Sequence, residues 1–311
     1  MKNKISCSYI NQYLHTSIPQ QNCHKTILLT GSGGFIGKNL KEYLKDKYEL
    51  LTPRSFELNL VNSKEVKKYF EENKIDFIIH CASTGGARGI ADKDTTIEDN
   101  IAMVDNILKY KSENVRVILF GSGAMYGKSR SLHKVKEIEI GKFVPEDLYG
   151  KSKMLIAEKI KNRKDVLMLN IFACYGYGEK ESRFPTYTIK RVIESKTIEI
   201  NQNVIFDYLW VEDMEKIVHH FIEYKPKNNI INITPLKSVS LLEIAKIVNG
   251  FENNKVDIII KNKVMNNEYT GDNSVLLSEI PNIKFTDVKQ GLKKLYNYYS
   301  SQIKQKGMKN E

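Results

Sequence analysis

Arginine is scarce in a chain otherwise rich in positive charge: only seven of the 48 basic residues are arginine, at positions 54, 88, 116, 130, 163, 183 and 191. A formal net charge of +11 would suit nucleic-acid binding. Readers of bases and phosphates, however, favour the planar guanidinium fork. The lysine clusters at 38–41 and 159–164 read instead as solvated helix exteriors. What survives of the charge is an attraction for small anions such as nucleotides. Long apolar runs are also missing, and none approaches the roughly 18–20 residues of a membrane span. The first 25 residues lack the apolar stretch of a signal peptide. Cysteine is sparse, and Cys7, Cys23, Cys81 and Cys174 form no CxxC pair and no metal-ligand spacing. Reduced thiols in a cytoplasmic protein are expected, with no metal, no nucleic acid and no membrane.

What is present is a periodic chain of 311 residues, 41% hydrophobic and 27% charged, long enough for one large domain or two modest ones. Residues 1–24 are polar, aperiodic and contain Pro19, and read as an appended N-terminal arm. From Lys25, apolar runs at 26–30, 48–52, 77–80, 115–120 and 166–169 alternate with helical spacing at 38–47, 63–73, 97–111 and 148–163. Strands that are apolar throughout, separated by helices, predict a parallel sheet covered on both faces. Right-handed crossovers make that sheet doubly wound. The expected architecture is α/β, a Rossmann-like doubly wound sheet over 25–178 with a smaller α/β substrate-binding lobe over 179–311, the two interleaved. Shorter elements at 186–194, 198–200, 230–233, 241–248 and 288–299 build the second lobe. Ligands of such sheets bind beyond the carboxyl ends of the strands.

Residues 30–37 (TGSGGFIG) join the first strand to the first helix, with Gly31, Gly34 and Gly37 in GxxGxxG spacing. One glycine permits the turn, one lets backbone approach a pyrophosphate, and one lets helix and strand pack closely. The phosphates then meet free N–H groups at Phe35 and Ile36, at the positive helix end. After the second strand, where an acid would hold the ribose hydroxyls of NAD, stand Arg54 and Ser55. An arginine beside a hydroxyl suits the 2′-phosphate of NADP, so NADP(H) is expected ahead of NAD. His80, before Cys81-Ala82-Ser83, reads as packed near the cofactor. His219 and His220 have no partner at helical spacing for a metal, and Cys174 has no histidine beside it in the motif.

Tyr149 and Lys153 lie four apart near the start of a predicted helix and so share a face. A phenol titrates near 10 in water, and a neighbouring ammonium is expected to lower that value towards the working range. Ser122, where the 115–120 strand ends, is placed to hold the same reacting oxygen.

With these motifs in view, residues 25–299 resemble the extended short-chain dehydrogenase/reductases (NAD-dependent epimerase/dehydratases) that act on nucleotide sugars. GSGAMYG at 121–127, YGKSK at 149–153, FDYLWVEDM at 206–214, VSLLEIAKIV at 239–248 and YTGDNSVL at 269–276 carry the likeness. RSFELNL at 54–60 and NIAMV at 100–104 resemble the GDP-fucose synthase branch, and 175–189 the abequose-synthase-type reductases. The resemblance implies Ser122, Tyr149 and Lys153 as the catalytic triad, with Leu60, Cys81, Ala82, Ser83 and Asn100 also lining the cofactor. It implies a nucleotide-diphosphate sugar as substrate, held by Ser122, Gly123, Ala124, Arg88, Arg183, Lys190 and Asp207. It also implies a homodimer through a four-helix bundle of the 97–111 and 148–163 helices, and a place in surface polysaccharide biosynthesis.

Four departures narrow the chemistry. The dehydratases' Asp-Glu pair is replaced by Gly123 and Ala124. The epimerising Cys and His of the fucose synthases are replaced by Ala124 and Ser182. The usual diphosphate-holding Asn and Arg give way to Ala173 and Phe206, so Arg183, Lys190 or Arg191 takes over the phosphates or the substrate is atypical. The expected activity is reduction of the C4 carbonyl of a 4-keto-deoxysugar. An NAD-dependent C4-epimerase and a non-catalytic cofactor-binding regulator are the alternatives.

Overall fold

The computed structural model describes residues 25–307 apart from Arg88 and Asn254. The arm at 1–24, with Cys7 and Cys23, and the substrate candidate Arg88 lie outside the described residues. In chain order, β1 (Thr26–Thr30), α1 (Phe35–Leu44), β2 (Glu49–Leu51), α2 (Ser63–Glu72), β3 (Phe77–His80), α3 (Thr96–Tyr110) and β4 (Arg116–Ser122) alternate as the apolar rhythm predicts. Then follow β5 (Leu132–Val135), α4 (Leu148–Ile160), β6 (Val166–Ile171), β7 (Ala173–Tyr175), α5 (Phe184–Ile193), β8 (Ile198–Gln202), β9 (Ile205–Phe206) and β10 (Tyr208–Trp210). The remainder is α6 (Val211–Glu223), β11 (Ile230–Ile233), β12 (Val239–Ser240), α7 (Leu241–Asn249), β13 (Ile258–Asn262), β14 (Tyr269–Gly271), α8 (Ser274–Glu279) and α9 (Val288–Gly307).

Six parallel strands form the main sheet in the order β2-β1-β3-β4-β6-β11. Alternation along each strand divides its residues between two cores. Leu28, Ile78, Val117 and Met168 pack towards Val66, Val104, Ile107 and Ile156 of α2, α3 and α4. Ile27, Leu29, Ile79 and Leu167 pack towards Leu40, Leu44, Ile217 and Phe221 of α1 and α6. Both faces are therefore covered, which is why these strands read as unbroken apolar runs. Each fully buried Leu or Ile contributes about 1.5–3 kcal/mol against exposure.

The chain leaves β1 for β2 on one side and returns for β3 on the other, so the strand order reverses between β1 and β3. A crevice opens at the carboxyl ends there. The strand at 230–233 is not part of the smaller lobe, where the sequence reading set it. It pairs parallel with β6 as the edge of the main sheet, reached by the α6 crossover. In exchange β5, from the first half, pairs with β14 in a small sheet of order β12-β9-β14-β5. That trade lays the second lobe across the end of β4. Among the described residues no helix is long and apolar enough to cross a membrane.

Candidate active site

At the end of β1 the chain turns at Gly31 with φ +66°, where a Cβ would stand 2.5 Å from the Ala82 nitrogen and 2.6 Å from the Cys81 carbonyl carbon. The loops after β1 and β3 thus touch, and only glycine fits between them. A Cβ on Gly37 would lie 2.2 Å from the Gly31 oxygen, so α1 begins directly against the turn. Gly34, in contrast, faces open space, with the Gly31 oxygen 3.5 Å away its nearest neighbour. α1 has no side-chain cap and no acid in its first turn. Its first helical bond runs from Lys38 N–H to the Gly34 carbonyl at 2.8 Å. The N–H groups of Phe35, Ile36 and Gly37 are left for an anion. The Arg54 guanidinium lies against this loop, its Nη1 2.9 Å from where a Gly33 Cβ would be. The cradle fits a dinucleotide: glycines where bulk would block it, free donors at a helix start, and a cation beside them.

The neighbouring candidates divide between lining and bracing. Cys81 and Ala82 press on Gly31. Cys81 is partly buried, and desolvation pushes its thiol well up against the opposing charge of Lys153. His80 is buried, its Nδ1 2.7 Å from Thr30 Oγ1, and burial pulls it down to about 3, with Lys153 adding to the effect. Leu60 is a core residue whose carbonyl accepts from Asn106 at 2.9 Å. Asn100 is not free for a cofactor. Its Oδ1 accepts from Thr84 N–H (2.9 Å) and Ser83 Oγ (3.3 Å), and its Nδ2 donates to the Thr84 carbonyl (3.0 Å) and Ser152 Oγ (2.9 Å). Ser152 in turn donates to the Tyr149 carbonyl at 2.8 Å, so Asn100 braces the helix that carries Tyr149.

That helix, α4, starts beside the end of β4. Asp147 caps it by accepting from Gly150 N–H at 2.8 Å, and Asp92, from the loop after β3, accepts from Tyr149 N–H at 2.8 Å. Asp92 also accepts from Gly86 N–H at 2.7 Å, folding its loop over the Tyr149 ring. A Cβ on Gly86 would meet that ring at 2.8 Å. One turn on, the Lys153 ammonium sits 5.5 Å from the ring centroid and donates to the Phe120 carbonyl at 2.9 Å. The Ser122 hydroxyl accepts from Ala124 N–H at 3.2 Å and lies on the Tyr149 side of the strand end, where it favours the ionised phenol. Ser122, Tyr149 and Lys153 therefore converge at the mouth of β4.

The electrostatics differ from the sequence expectation. Burial dominates at Tyr149 and raises its phenol above the ordinary value, opposed by Ser122 and Arg183 and aided by Asp147 and Asp92. Burial also pulls Lys153 down to about 8. Lys153 is buried and Tyr149 partly so, and the cost of charging the phenol there exceeds what its neighbours return. The geometry thus holds Tyr149 as a neutral proton donor rather than a ready phenolate.

Residues 27–234 match the NAD dependent epimerase/dehydratase family. The chain belongs to that family. It is 26% identical over 305 residues to GDP-L-colitose synthase of Yersinia pseudotuberculosis, covering 88% of this chain and 97% of the relative. It is 25% identical over 293 residues to GDP-6-deoxy-D-talose 4-dehydrogenase of Aggregatibacter actinomycetemcomitans, covering 87% and 96%. Its fold matches that of a GDP-mannoheptose C4 reductase from Campylobacter jejuni with NADP bound, with a TM-score of 0.76, 21% identity, and 89% and 98% of the two chains covered.

Within this family member the substrate-side candidates separate. Arg183 is exposed at the start of α5, on the side from which its charge favours ionised Tyr149 and Tyr269. Lys190 pairs with Glu181 and lies 5.6 Å from the Tyr299 ring centroid. Arg191 donates to the Thr197 carbonyl at 2.7 Å. Asp207 is not a substrate ligand. It is buried, and accepts from Gly271 N–H (2.8 Å), Ser238 Oγ (2.6 Å) and Lys134 Nζ (3.2 Å), stapling the small sheet together. Gly123 and Ala124 are buried, and a Cβ on Gly123 would stand 2.6 Å from Phe172 and 2.7 Å from the Tyr269 oxygen. Burial pushes the Cys174 thiol well up, leaving it unreactive.

Sequence reasoning missed the aromatic wall here. Phe172, Phe206, Tyr208 and Tyr269 pack edge to face or tilted, with centroids 5.4–5.7 Å apart. Phe206 fills the family's arginine position with a ring that belongs to this wall. Asp92 was missed as well. The YTGD motif marked the neighbourhood of Tyr269, but no local pattern places its hydroxyl beside Gly123.

Proposed function

We propose that the protein is an NADPH-dependent reductase of the C4 carbonyl of a nucleotide-linked 4-keto-deoxysugar. The observation that carries this reading is the convergence of Ser122, Tyr149 and Lys153 beside a cradle shaped for a dinucleotide. The relatives named above support it by what they are: a GDP-sugar synthase, a GDP-sugar 4-dehydrogenase and a C4 reductase. Gly31, Gly34, Gly37 and the N–H groups of Phe35 and Ile36 would hold the pyrophosphate, and Arg54 the 2′-phosphate that separates NADP from NAD. Bound NADPH supplies a hydride to the carbonyl carbon.

The chain's own residues manage the oxygen. Ser122 donates to the carbonyl oxygen and fixes its position, and Tyr149, kept protonated by burial, gives that oxygen its proton. The C=O double bond becomes CH–OH, with the hydride on carbon and the phenolic proton on oxygen. Lys153, anchored on Phe120, sits beside the ring and offsets the phenolate charge left behind. Arg183 offers a cation to the nucleotide diphosphate. Gly123, Ala124 and Ser182 carry no group able to eliminate water or move a proton at a neighbouring carbon, so the chemistry stops at reduction. The product would enter surface polysaccharide assembly in the cytoplasm. The enzyme would act as a homodimer across α3 and α4, where Ile101, Leu108 and Leu155 are half-buried.

The test is NADPH oxidation by the purified protein with GDP- and dTDP-linked 4-keto-6-deoxysugars generated by dehydratases. At least one sugar is expected to turn over, and Tyr149→Phe to slow it by about a thousandfold. Unchanged turnover in that variant would remove Tyr149 from the mechanism. Interconversion of two sugars without net NADPH use would make the protein an epimerase.

A further inference from the structure

Asp92 belongs to none of the motifs, yet its carboxylate joins two segments that meet at the site. Its Oδ2 accepts from Tyr149 N–H at 2.8 Å and its Oδ1 from Gly86 N–H at 2.7 Å. The first N–H groups of a helix have no partner within it. In α4 Asp147 takes that of Gly150, and Asp92, from the loop after β3, takes that of Tyr149. Gly85 and Gly86 have φ of +80° and +71°, a left-handed bend that wraps the chain around the carboxylate. A Cβ on Gly85 would stand 2.7 Å from Asp92 Oδ1. One on Gly86 would stand 2.8–2.9 Å from Cγ, Cδ1 and Cε1 of Tyr149. Nearly equal distances to three adjacent ring atoms place Gly86 over the face of the ring, not at its edge. A second path closes the circuit. The Tyr149 carbonyl accepts from Ser152 Oγ, which accepts from Asn100 Nδ2, and Asn100 holds both the N–H and the carbonyl of Thr84. The N–H and the C=O of Tyr149 are thus both tied, through side chains, to the segment 84–86 that roofs its ring.

We propose that Asp92 is a positioning residue for the reduction: by gripping Gly86 with one oxygen and Tyr149 with the other, it seats the loop backbone on the phenol ring and fixes where the hydroxyl points. This rests on the reductase reading above. A phenol swings about two side-chain bonds, and a proton donor serves only while its oxygen stays within hydrogen-bonding reach of the substrate oxygen. Holding the backbone of Tyr149 at both ends and covering one face of the ring removes that swing. Asn100 grips the loop at Thr84, two residues before the ring contact. Asp92 grips it at the contact itself.

The Asp92 charge also opposes ionisation of the phenol, so the test must separate charge from geometry. Asp92→Asn and Asp92→Ala both remove the charge, but the carboxamide keeps one acceptor oxygen and alanine keeps none. Gly86→Ala keeps the charge and pushes a methyl group into the ring. With NADPH and a 4-keto nucleotide sugar, kcat should fall by about tenfold in Asp92→Asn and by about a hundredfold in Asp92→Ala and Gly86→Ala, with KM for NADPH unchanged. Equal kcat in Asp92→Asn and Asp92→Ala beside a fully active Gly86→Ala would reduce Asp92 to a charge and overturn the proposal. So would kcat unchanged in all three, or a raised KM for NADPH with kcat retained. A substrate-free readout is NMR of protein labelled at glycine. The Gly86 α-proton that stands where a Cβ would be lies over an aromatic face, so it should resonate upfield in the parent and in Tyr149→Phe but not in Tyr149→Ala. In Asp92→Ala it should return towards its ordinary position while the glycines of the nucleotide loop stay in place, which reports an intact fold. Where Asp92→Ala does not fold, Asp92→Asn carries both readouts. A Gly86 signal unmoved by either substitution would overturn the proposal while leaving the reductase reading intact. If the signal moves as expected but no 4-keto sugar is reduced by the parent, the reductase reading fails and the grip of Asp92 on Tyr149 stands.

Discussion

Arg54 shows what one side chain decides. Its guanidinium rests on the glycine loop although its backbone belongs to the segment after β2, and on the proposed reading that charge meets an adenosine 2′-phosphate. Arg54→Ser should raise KM for NADPH by about tenfold to a hundredfold and leave KM for NADH nearly unchanged. Equal effects on both cofactors, measured by steady-state kinetics, would detach Arg54 from the phosphate. Arg54, Tyr149 and Lys153 were legible in the sequence because their signals are local: a strand end, and two residues one helical turn apart. Tyr269, Asp92 and the bracing use of Asn100 were not, since each depends on which distant backbone lies opposite. Asp207 misled for the same reason. An acid inside a family motif reads as a ligand until its three protein partners are seen.

Among the elements, the start of α5 carries Arg183 and is held by a buried acid. Glu179 accepts from Thr186 N–H (3.2 Å) and Thr186 Oγ1 (2.7 Å), and its second oxygen has no partner. Burial pushes Glu179 up to about 7, with Thr186 and Arg183 opposing. The folded state therefore holds this proton more tightly than the unfolded chain. The associated stability is complete below the ordinary carboxylate range and is lost as pH rises through about 7. Glu179→Gln keeps an acceptor for Thr186 and removes the charge. It should stabilise the protein by up to about 3 kcal/mol near pH 8, with little change near pH 4. Urea unfolding of the two proteins at both pH values measures this, and a destabilised variant at the higher pH would contradict it. No sequence pattern announced Glu179, because its burial depends on α9 and α5 closing over it. The helices and strands themselves were readable, since apolar period and glycine punctuation are written locally.

Across the whole molecule, the two halves exchange strands. β11 completes the main sheet and β5 joins the small one. The exchange was hidden in the sequence because pairing partners lie far apart along the chain, and an edge strand of a parallel sheet looks like any short apolar run. It has a functional consequence: the second lobe cannot lift away without unpairing β5 from β14, so the aromatic wall and Tyr269 stay over the end of β4. The fold thus brings the glycine loop and Tyr149 of α4 from one lobe and the aromatic wall from the other together at the end of β4. The most direct measurement is isotope transfer, with the purified protein given NADPH carrying deuterium at both hydrogens of the nicotinamide C4 and a 4-keto nucleotide sugar. Mass spectrometry and NMR of the product should find the deuterium on the sugar's C4, one for each NADPH consumed. Product without label at that carbon, or NADPH left intact while the sugar changes, would contradict the account.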